Sequence, residues 1–328
     1  MSNFPMLSVK ETLEKLKSLR SPLVLMHRHP DGDTVGSAFA LLHVLKEMGI
    51  NGYGLCADSM PERLAFMANA FPVFSALPEG DYDIISVDVP SPQQMGELAP
   101  HLTGKRAPVL MIDHHAVGTP FAPALIDSTA AAAGELVYLL AEEALRQGII
   151  KQIPLAAKKA IYAALSSDTG CYRYSNTTSR TLRIAAALLE DKGVDSAEIN
   201  HLLFEAKSER QLKAEAFAIE NTHSAKNGKI AWVSITQAER KALGVEDEHL
   251  DTMIDMVRSR AGVEIAFVIR ESKDGSFKAS LRSSGFNVAQ IAALFEGGGH
   301  VRAAGCTIAA SHIDEAVKRL LDALLSRA

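Results

Sequence analysis

Leu23-Val24-Leu25-Met26 runs directly into His27-Arg28-His29-Pro30-Asp31-Gly32-Asp33. Four apolar residues between turn signals read as a buried strand of a parallel sheet, because such strands are covered on both faces. The pattern recurs twice. Ile84-Ile85-Ser86-Val87 ends at Asp88, and Val109-Leu110-Met111-Ile112 ends at Asp113-His114-His115. Ligands of open α/β sheets collect at the carboxyl ends of the strands, so three such ends would deliver carboxylates and imidazoles to one sheet edge. A lone Asp after a strand is usually a helix cap or turn residue, and a His-His pair usually packs or lies on the surface. The concurrence of three ends in one sheet favours a site.

Outward from these strands, the first 190 or so residues alternate apolar runs with helical patterns, as βαβ units do. Helices are expected at 34–48, 130–146, 154–166 and 178–190. A charged helical stretch follows, and then strand-like runs at 229–235, 263–270 and 276–283, the last two joined through a turn at Asp274-Gly275. A helix is expected at 313–325. The fold class is therefore α/β: an N-terminal parallel-sheet domain over 1–195, a helical linker over 196–222, and a second, smaller α/β domain over 223–328.

A chain of 328 residues fits two domains with substantial cores. Its 34 basic against 39 acidic residues give a net charge of −5. Proteins that hold long nucleic acid by neutralising phosphates carry a basic surplus, so a nucleotide substrate here should be short and held in a local basic pocket. No apolar run approaches the roughly 18 residues of a membrane span, and Met1-Ser2-Asn3-Phe4-Pro5 lacks the pattern of a secretory signal. Three cysteines, Cys56, Cys171 and Cys306, are odd in number and widely spaced. A reducing, cytoplasmic home is the expectation.

Asp31 and Asp33 stand one glycine apart, and two carboxylates so close repel unless cations share them. His27 adds a nitrogen donor. Oxygen donors mixed with imidazole, without a nearby thiolate, suit manganese or magnesium better than structural zinc. A single carboxylate such as Asp88 can bridge two cations through its two oxygens. Asp168, in Ser167-Asp168-Thr169-Gly170, ends a helix; whether it converges with the others is left open by sequence. Near the C-terminus, Gly297-Gly298-Gly299 offers amides a phosphate can approach, with His300, Arg302 and the strand residue Arg282 as cationic partners.

These motifs together resemble the DHH phosphoesterase superfamily, named for the Asp-His-His seen here as Asp113-His114-His115. The first motif of that family is matched by His27 to Asp33 and continues into Thr34-Val35-Gly36-Ser37; the second is matched by Asp88 and the fourth by Asp168-Thr169-Gly170-Cys171-Tyr172. Its glycine-rich ending appears as Gly297-Gly298-Gly299-His300-Val301-Arg302-Ala303-Ala304-Gly305. The resemblance spans nearly the whole chain, including a C-terminal DHH-associated domain.

The resemblance implies two divalent ions, with manganese expected. His27, Asp31 and Asp88 would hold one, and Asp33, Asp88, His114 and Asp168 the other. Catalysis would fall to Asp88 and to His115, the latter facing the scissile phosphate. Arg282, Gly298, Gly299, His300 and Arg302 would bind substrate. Within the superfamily the nearest likeness is to stand-alone oligoribonucleases (nanoRNases) that also remove the 3′-phosphate of adenosine 3′,5′-bisphosphate (pAp). The implied partners are short RNA and pAp, with cyclic di-AMP or its linear product pApA as the alternative, and neither long duplex nucleic acid nor a membrane. A homodimer is compatible with this reading. A manganese pyrophosphatase would share the Asp-His-His site but not the glycine triplet, and intact metal motifs argue against a catalytically dead nucleotide-binding module.

Overall fold

The structure is a computed structural model and describes residues 4–327. The chain divides into two compact units, Met1–Ala206 and Lys207–Ala328. The first is built on strands β1 (Pro22–Leu25), β2 (Tyr53–Leu55), β3 (Val73–Phe74), β4 (Asp83–Val87), β5 (Leu110–Asp113) and β6 (Ala124–Ile126). They pair in the order β3-β2-β1-β4-β5-β6, every pairing parallel. The order reverses between β1 and β4, and a crevice opens at such a switch point in doubly wound sheets.

Alternate residues of the central strands go to opposite faces. Val24, Met26, Ile85, Val87, Leu110 and Ile112 join one core, while Leu23, Leu25 and Ile84 join another with Met95 and Leu98. Around the sheet lie α1 (Val9–Lys17), α2 (Gly32–Glu47), α3 (Ala65–Ala68), α4 (Ala133–Arg146), α5 (Leu155–Asp168), α6 (Ser179–Leu189) and α7 (Ser196–Asn200). Helix α2 is buried from Gly32 through Leu42 without interruption, so it is a central rather than a surface helix.

Its approach to α5 depends on missing side chains. A Cβ on Gly36 would lie 2.6 Å from the Ala160 carbonyl oxygen, and one on Gly32 would lie 2.4 Å from Ser167 Oγ. The N-terminus of α2, which carries Asp31 and Asp33, is thereby pressed against the C-terminus of α5, which carries Asp168.

The second unit contains α8 (Glu209–Glu220), β7 (His223–Ala225), β8 (Ile230–Ile235), α9 (Gln237–Leu243), α10 (Met253–Ser259), β9 (Ile265–Glu271), β10 (Phe277–Ser283), α11 (Val288–Ala293), β11 (Gly298–His300), β12 (Ala303–Ile308) and α12 (Ile313–Leu325). The sheet order is β11-β12-β10-β9-β8-β7, antiparallel except for the parallel β8–β9 pair. Val288, Ile291, Leu320 and Leu324 of α11 and α12 pack on one face; Ala214, Ala218, Met253 and Val257 of α8 and α10 pack on the other. The stretch expected to connect two domains, 196–222, consists of α7, a π-helical turn at His201–Glu205 and then α8, and the boundary between the units falls inside it. Among the described residues, no helix is long and apolar enough to cross a membrane.

Candidate metal centre

Each of the three strand ends turns out of the sheet and presents its polar residues at the switch point. After β4, the Asp88 amide donates one more ladder bond to the Ile112 carbonyl at 2.9 Å, and the backbone then flips to φ +59°. His29 (φ +54°), Cys171 (+58°) and Tyr172 (+62°) adopt the same left-handed conformation on neighbouring loops. Such non-glycine residues cost on the order of 1–3 kcal/mol each and cluster where function demands them. Thr34 ties two of the ends together: its hydroxyl donates to the Val87 carbonyl at 3.1 Å and accepts from the His27 amide at 3.4 Å.

Asp31 caps α2, its Oδ1 accepting from the amides of Asp33 and Thr34 at 3.0 and 3.1 Å. The ordinary role of an Asp at this position is thus realised, and it does not exclude ligation, since a carboxylate offers about four lone-pair directions. Asp33 is fully buried. Its oxygens accept from Ser37 Oγ at 2.7 Å and from the amides of Ala133 and Gly134 at 2.7 and 3.1 Å.

Asp88 is the hub, 2% exposed. Its Oδ2 lies 3.5 Å from His27 Nε2, and its Oδ1 lies 3.5 Å from both His114 Nε2 and His115 Nδ1. His114 Nε2 is also 3.5 Å from Asp33 Oδ2 and 3.3 Å from Asp168 Oδ2, while His27 Nε2 is 3.6 Å from Asp31 Oδ1. The tautomers follow from the far nitrogens. His27 Nδ1 donates to the Arg28 carbonyl at 2.8 Å and His114 Nδ1 to the Ala130 carbonyl at 3.2 Å, which turns both Nε2 atoms toward the carboxylates. His115 Nδ1 donates to Asp113 Oδ1 at 2.8 Å.

The charges cannot coexist unaltered. Burial, reinforced by Asp88, raises the Asp33 carboxyl to about 7. Burial and the neighbouring Asp33 and Asp88 push Asp168 well above its ordinary value. At Asp88 burial works in the same direction, but the imidazoliums of His114 and His27 outweigh it and hold the group low. Burial opposes charge on His27 and His114 too, yet their carboxylate partners prevail and raise each to about 11. His115 is raised in the same way by Asp113. Without a cation, the cluster balances itself by retaining protons.

A divalent cation fits this arrangement. Asp88 Oδ1 is buried and accepts no hydrogen bond among the described residues, an expensive state for an anionic oxygen. Three donor groups, Asp88/His114/His115, His27/Asp31/Asp88 and Asp33/His114/Asp168, each bring their ligand atoms within 4.8 Å of one another. Asp88 belongs to two of them.

The residues expected from sequence at the metal site, His27, Asp31, Asp33, Asp88, His114 and Asp168, therefore lie together, with His115 beside them. In the second unit, Gly298 and Gly299 lie in β11, which is an edge strand rather than a loop. A Cβ on Gly299 would meet the Ala303 carbonyl at 2.5 Å, whereas one on Gly298 would meet nothing within 4 Å. Arg302 is exposed, and Arg282 is half-buried on β10 with Nη1 donating to the Leu281 carbonyl at 3.0 Å. The side chain of His300 lies outside the described residues. Sequence reasoning missed Asp113 as the partner of His115, along with Thr34, Ser37 and Asn176. Ser37 had a signal, four residues after Asp33 on one helix face; Asn176 had none, since its partners are the backbone carbonyls of Ala131 and Asp168.

Two family models match the chain: the DHH family, N-terminal domain, over residues 22–165, and the DHHA1 domain over residues 228–326. A bifunctional oligoribonuclease and PAP phosphatase NrnA from Thermus thermophilus is 30% identical over 95% of this chain and 91% of that protein. The chain belongs to the DHH family. A NrnA from Bacillus subtilis is 27% identical over 87% of this chain and 89% of its own. An exopolyphosphatase-related protein from Bacteroides fragilis shares the fold, with a TM-score of 0.87, 23% identity and coverage of 97% of this chain and 95% of that one.

Proposed function

We propose that the cluster holds two divalent cations, one on His27, Asp31 and Asp88 and the other on Asp33, Asp88, His114 and Asp168. With them the enzyme removes the 3′-phosphate of pAp to give AMP and cuts short oligoribonucleotides to mononucleotides. The observation that carries this reading is Asp88, whose two oxygens face different imidazoles, Oδ2 toward His27 and Oδ1 toward His114. Manganese is the ion we infer, from a donor set of carboxylates and imidazoles. The substrate class is supported by the NrnA relatives from Thermus thermophilus and Bacillus subtilis.

When bound, the ions supply positive charge to the phosphate oxygens and acidify the attacking water. The chain's own residues set the rest. Asp33, held by Ser37 and two backbone amides, and the two imidazoles oriented through their Nδ1 atoms keep the donors fixed. His115, anchored by its Nδ1 hydrogen bond to Asp113, which favours its charged form, donates to a phosphate oxygen or to the departing 3′-oxygen. Water oxygen forms the new bond to phosphorus, the bond from phosphorus to the 3′-oxygen breaks, and that oxygen leaves with a proton. Arg282, Gly298, Gly299, His300 and Arg302 grip the substrate; the open space above Gly298 supports an approach of phosphate to the β11 backbone there. The cytoplasm is the proposed compartment, in keeping with three unbridged cysteines.

A second reading, a cyclic di-AMP phosphodiesterase, is favoured by likeness to GdpP of Bacillus subtilis, 26% identical over 96% of this chain but only 49% of that protein. The test is the full-length chain, stripped and reloaded with manganese, offered pAp, a 5′-labelled RNA dinucleotide and cyclic di-AMP side by side. AMP plus phosphate from the first and mononucleotides from the second are expected. Turnover of the cyclic compound alone would move the assignment to the second reading. No ion uptake and no turnover would leave only a binding module.

A further inference from the structure

Arg180, on α6, lies outside the acidic and histidine cluster yet grips both ends of the segment that supports it. Its Nε donates to Glu135 Oε2 at 2.7 Å and its Nη1 to Asp127 Oδ2 at 2.9 Å. Glu135 is fully buried and also accepts from Thr181 Oγ1 at 2.5 Å. Asp127 Oδ1 accepts from the Thr129 amide at 2.9 Å and hydroxyl at 2.6 Å. Asp127 directly follows β6 and Glu135 lies in the first turn of α4, so one guanidinium ties the residues on either side of 128–134.

That segment touches the cluster selectively. The Ala130 carbonyl accepts from His114 Nδ1 at 3.2 Å, and the amides of Ala133 and Gly134 donate to Asp33 at 2.7 and 3.1 Å. Asn176 Nδ2 spans the Ala131 carbonyl and the Asp168 carbonyl, each at 3.1 Å. Asp33, His114 and Asp168 form one of the three candidate donor groups. Among the described residues, no hydrogen bond runs from this segment to His27 or Asp31.

We infer that Arg180 is a positioning residue for the cation held by Asp33, His114 and Asp168, acting through the 128–134 segment and leaving the His27/Asp31 side of the site alone. A planar guanidinium suits this because its fork meets two carboxylates at fixed angles, which a lysine ammonium does not. The inference rests on the two-ion reading above.

The test is calorimetric titration of the metal-free, full-length chain with manganese chloride, with circular dichroism to confirm folding. Wild type, Arg180→Gln, Arg180→Lys, Asp127→Asn and a destabilised core control, Leu16→Ala, are compared. Wild type is expected to bind two ions. In Arg180→Gln and Asp127→Asn one ion should weaken by roughly 10–100-fold, the usual consequence of losing an outer partner of a metal ligand, while the other keeps its affinity. Arg180→Lys should fall between wild type and Arg180→Gln. If Arg180→Gln does not fold with Glu135 left unpaired, Asp127→Asn, which keeps the shape and cuts one arm at a partly exposed position, decides the matter. Wild-type affinity for both ions in a folded variant, or equal weakening of both as in Leu16→Ala, would overturn the inference while the two-ion reading stands. Fewer than two ions in wild type itself would remove both.

Discussion

At the scale of single residues, Asp88 and Asp113 make separable demands. Asp88 is held in a left-handed backbone conformation, is buried, and keeps Oδ1 without a hydrogen bond among the described residues. Asp88→Asn retains the shape but removes one carboxylate from each side of the hub, one of two beside His27 and one of three beside His114. Manganese titration should show both ions weakened, and turnover of pAp should drop by more than the roughly 10–100-fold that follows loss of an outer partner. Asp113 does something else. It touches His115 and no ion in the proposed scheme, so Asp113→Asn should leave manganese stoichiometry intact while the imidazole loses its anionic anchor. The expected result is a lower kcat at nearly constant KM, up to the ~10²–10⁴-fold that a positioned proton donor contributes. Loss of manganese from that variant would instead make His115 a ligand.

At the scale of elements, the convergence of Asp168 with Asp31 and Asp33 depends on how closely α2 and α5 approach. The Ala160 carbonyl is backbone and cannot move aside, so Gly36→Val must part the helices. Overpacking of this kind costs about 1–3 kcal/mol or more, readable as a lower urea midpoint, and manganese affinity should fall with it. An unchanged affinity would show that the α2–α5 spacing does not set the site. This explains what the chain disclosed unaided. Strands β1, β4 and β5 are central, apolar on both faces, and legible as short hydrophobic runs, and their ends carried the Asp and His residues into view. Strands β2, β3 and β6 have two or three residues each, too few for any period to register. Asp168 was visible as a residue type, but its place beside Asp33 is a consequence of helix packing through Gly32 and Gly36. The support from Ala130, Ala133, Gly134 and Asn176 acts mostly through backbone groups, which every residue possesses, so no side-chain pattern announced it.

At the scale of the whole molecule, the proton balance of the cluster should set how stability responds to pH. In the metal-free protein His27 and His114 titrate at about 11 instead of their ordinary 6.5. Each therefore contributes stability that is complete below 6.5 and lost as pH rises through the folded value. Asp33, raised from 3.8 to about 7, holds its proton in the folded chain after the unfolded chain has released it, so it too makes stability fall with rising pH. Asp168 acts in the same sense. Asp88 is lowered, and its contribution is lost only as pH falls below its ordinary 3.8; Asp127, lowered by Thr129 and Arg180 against burial, behaves likewise. Between about pH 5 and about pH 9 the melting temperature of the metal-free chain should therefore decrease. Saturating manganese reverses the sign, because ligands must give up their protons to bind: the folded state then holds fewer protons than the unfolded one, and the melting temperature should climb from acid toward neutrality and level off. Paired melting curves with and without manganese at several pH values measure both slopes, and calorimetry in buffers of different ionisation enthalpy should register protons released on metal uptake. Parallel pH profiles for the two forms would mean that the cation and the cluster's protons do not compete for the same carboxylates and imidazoles.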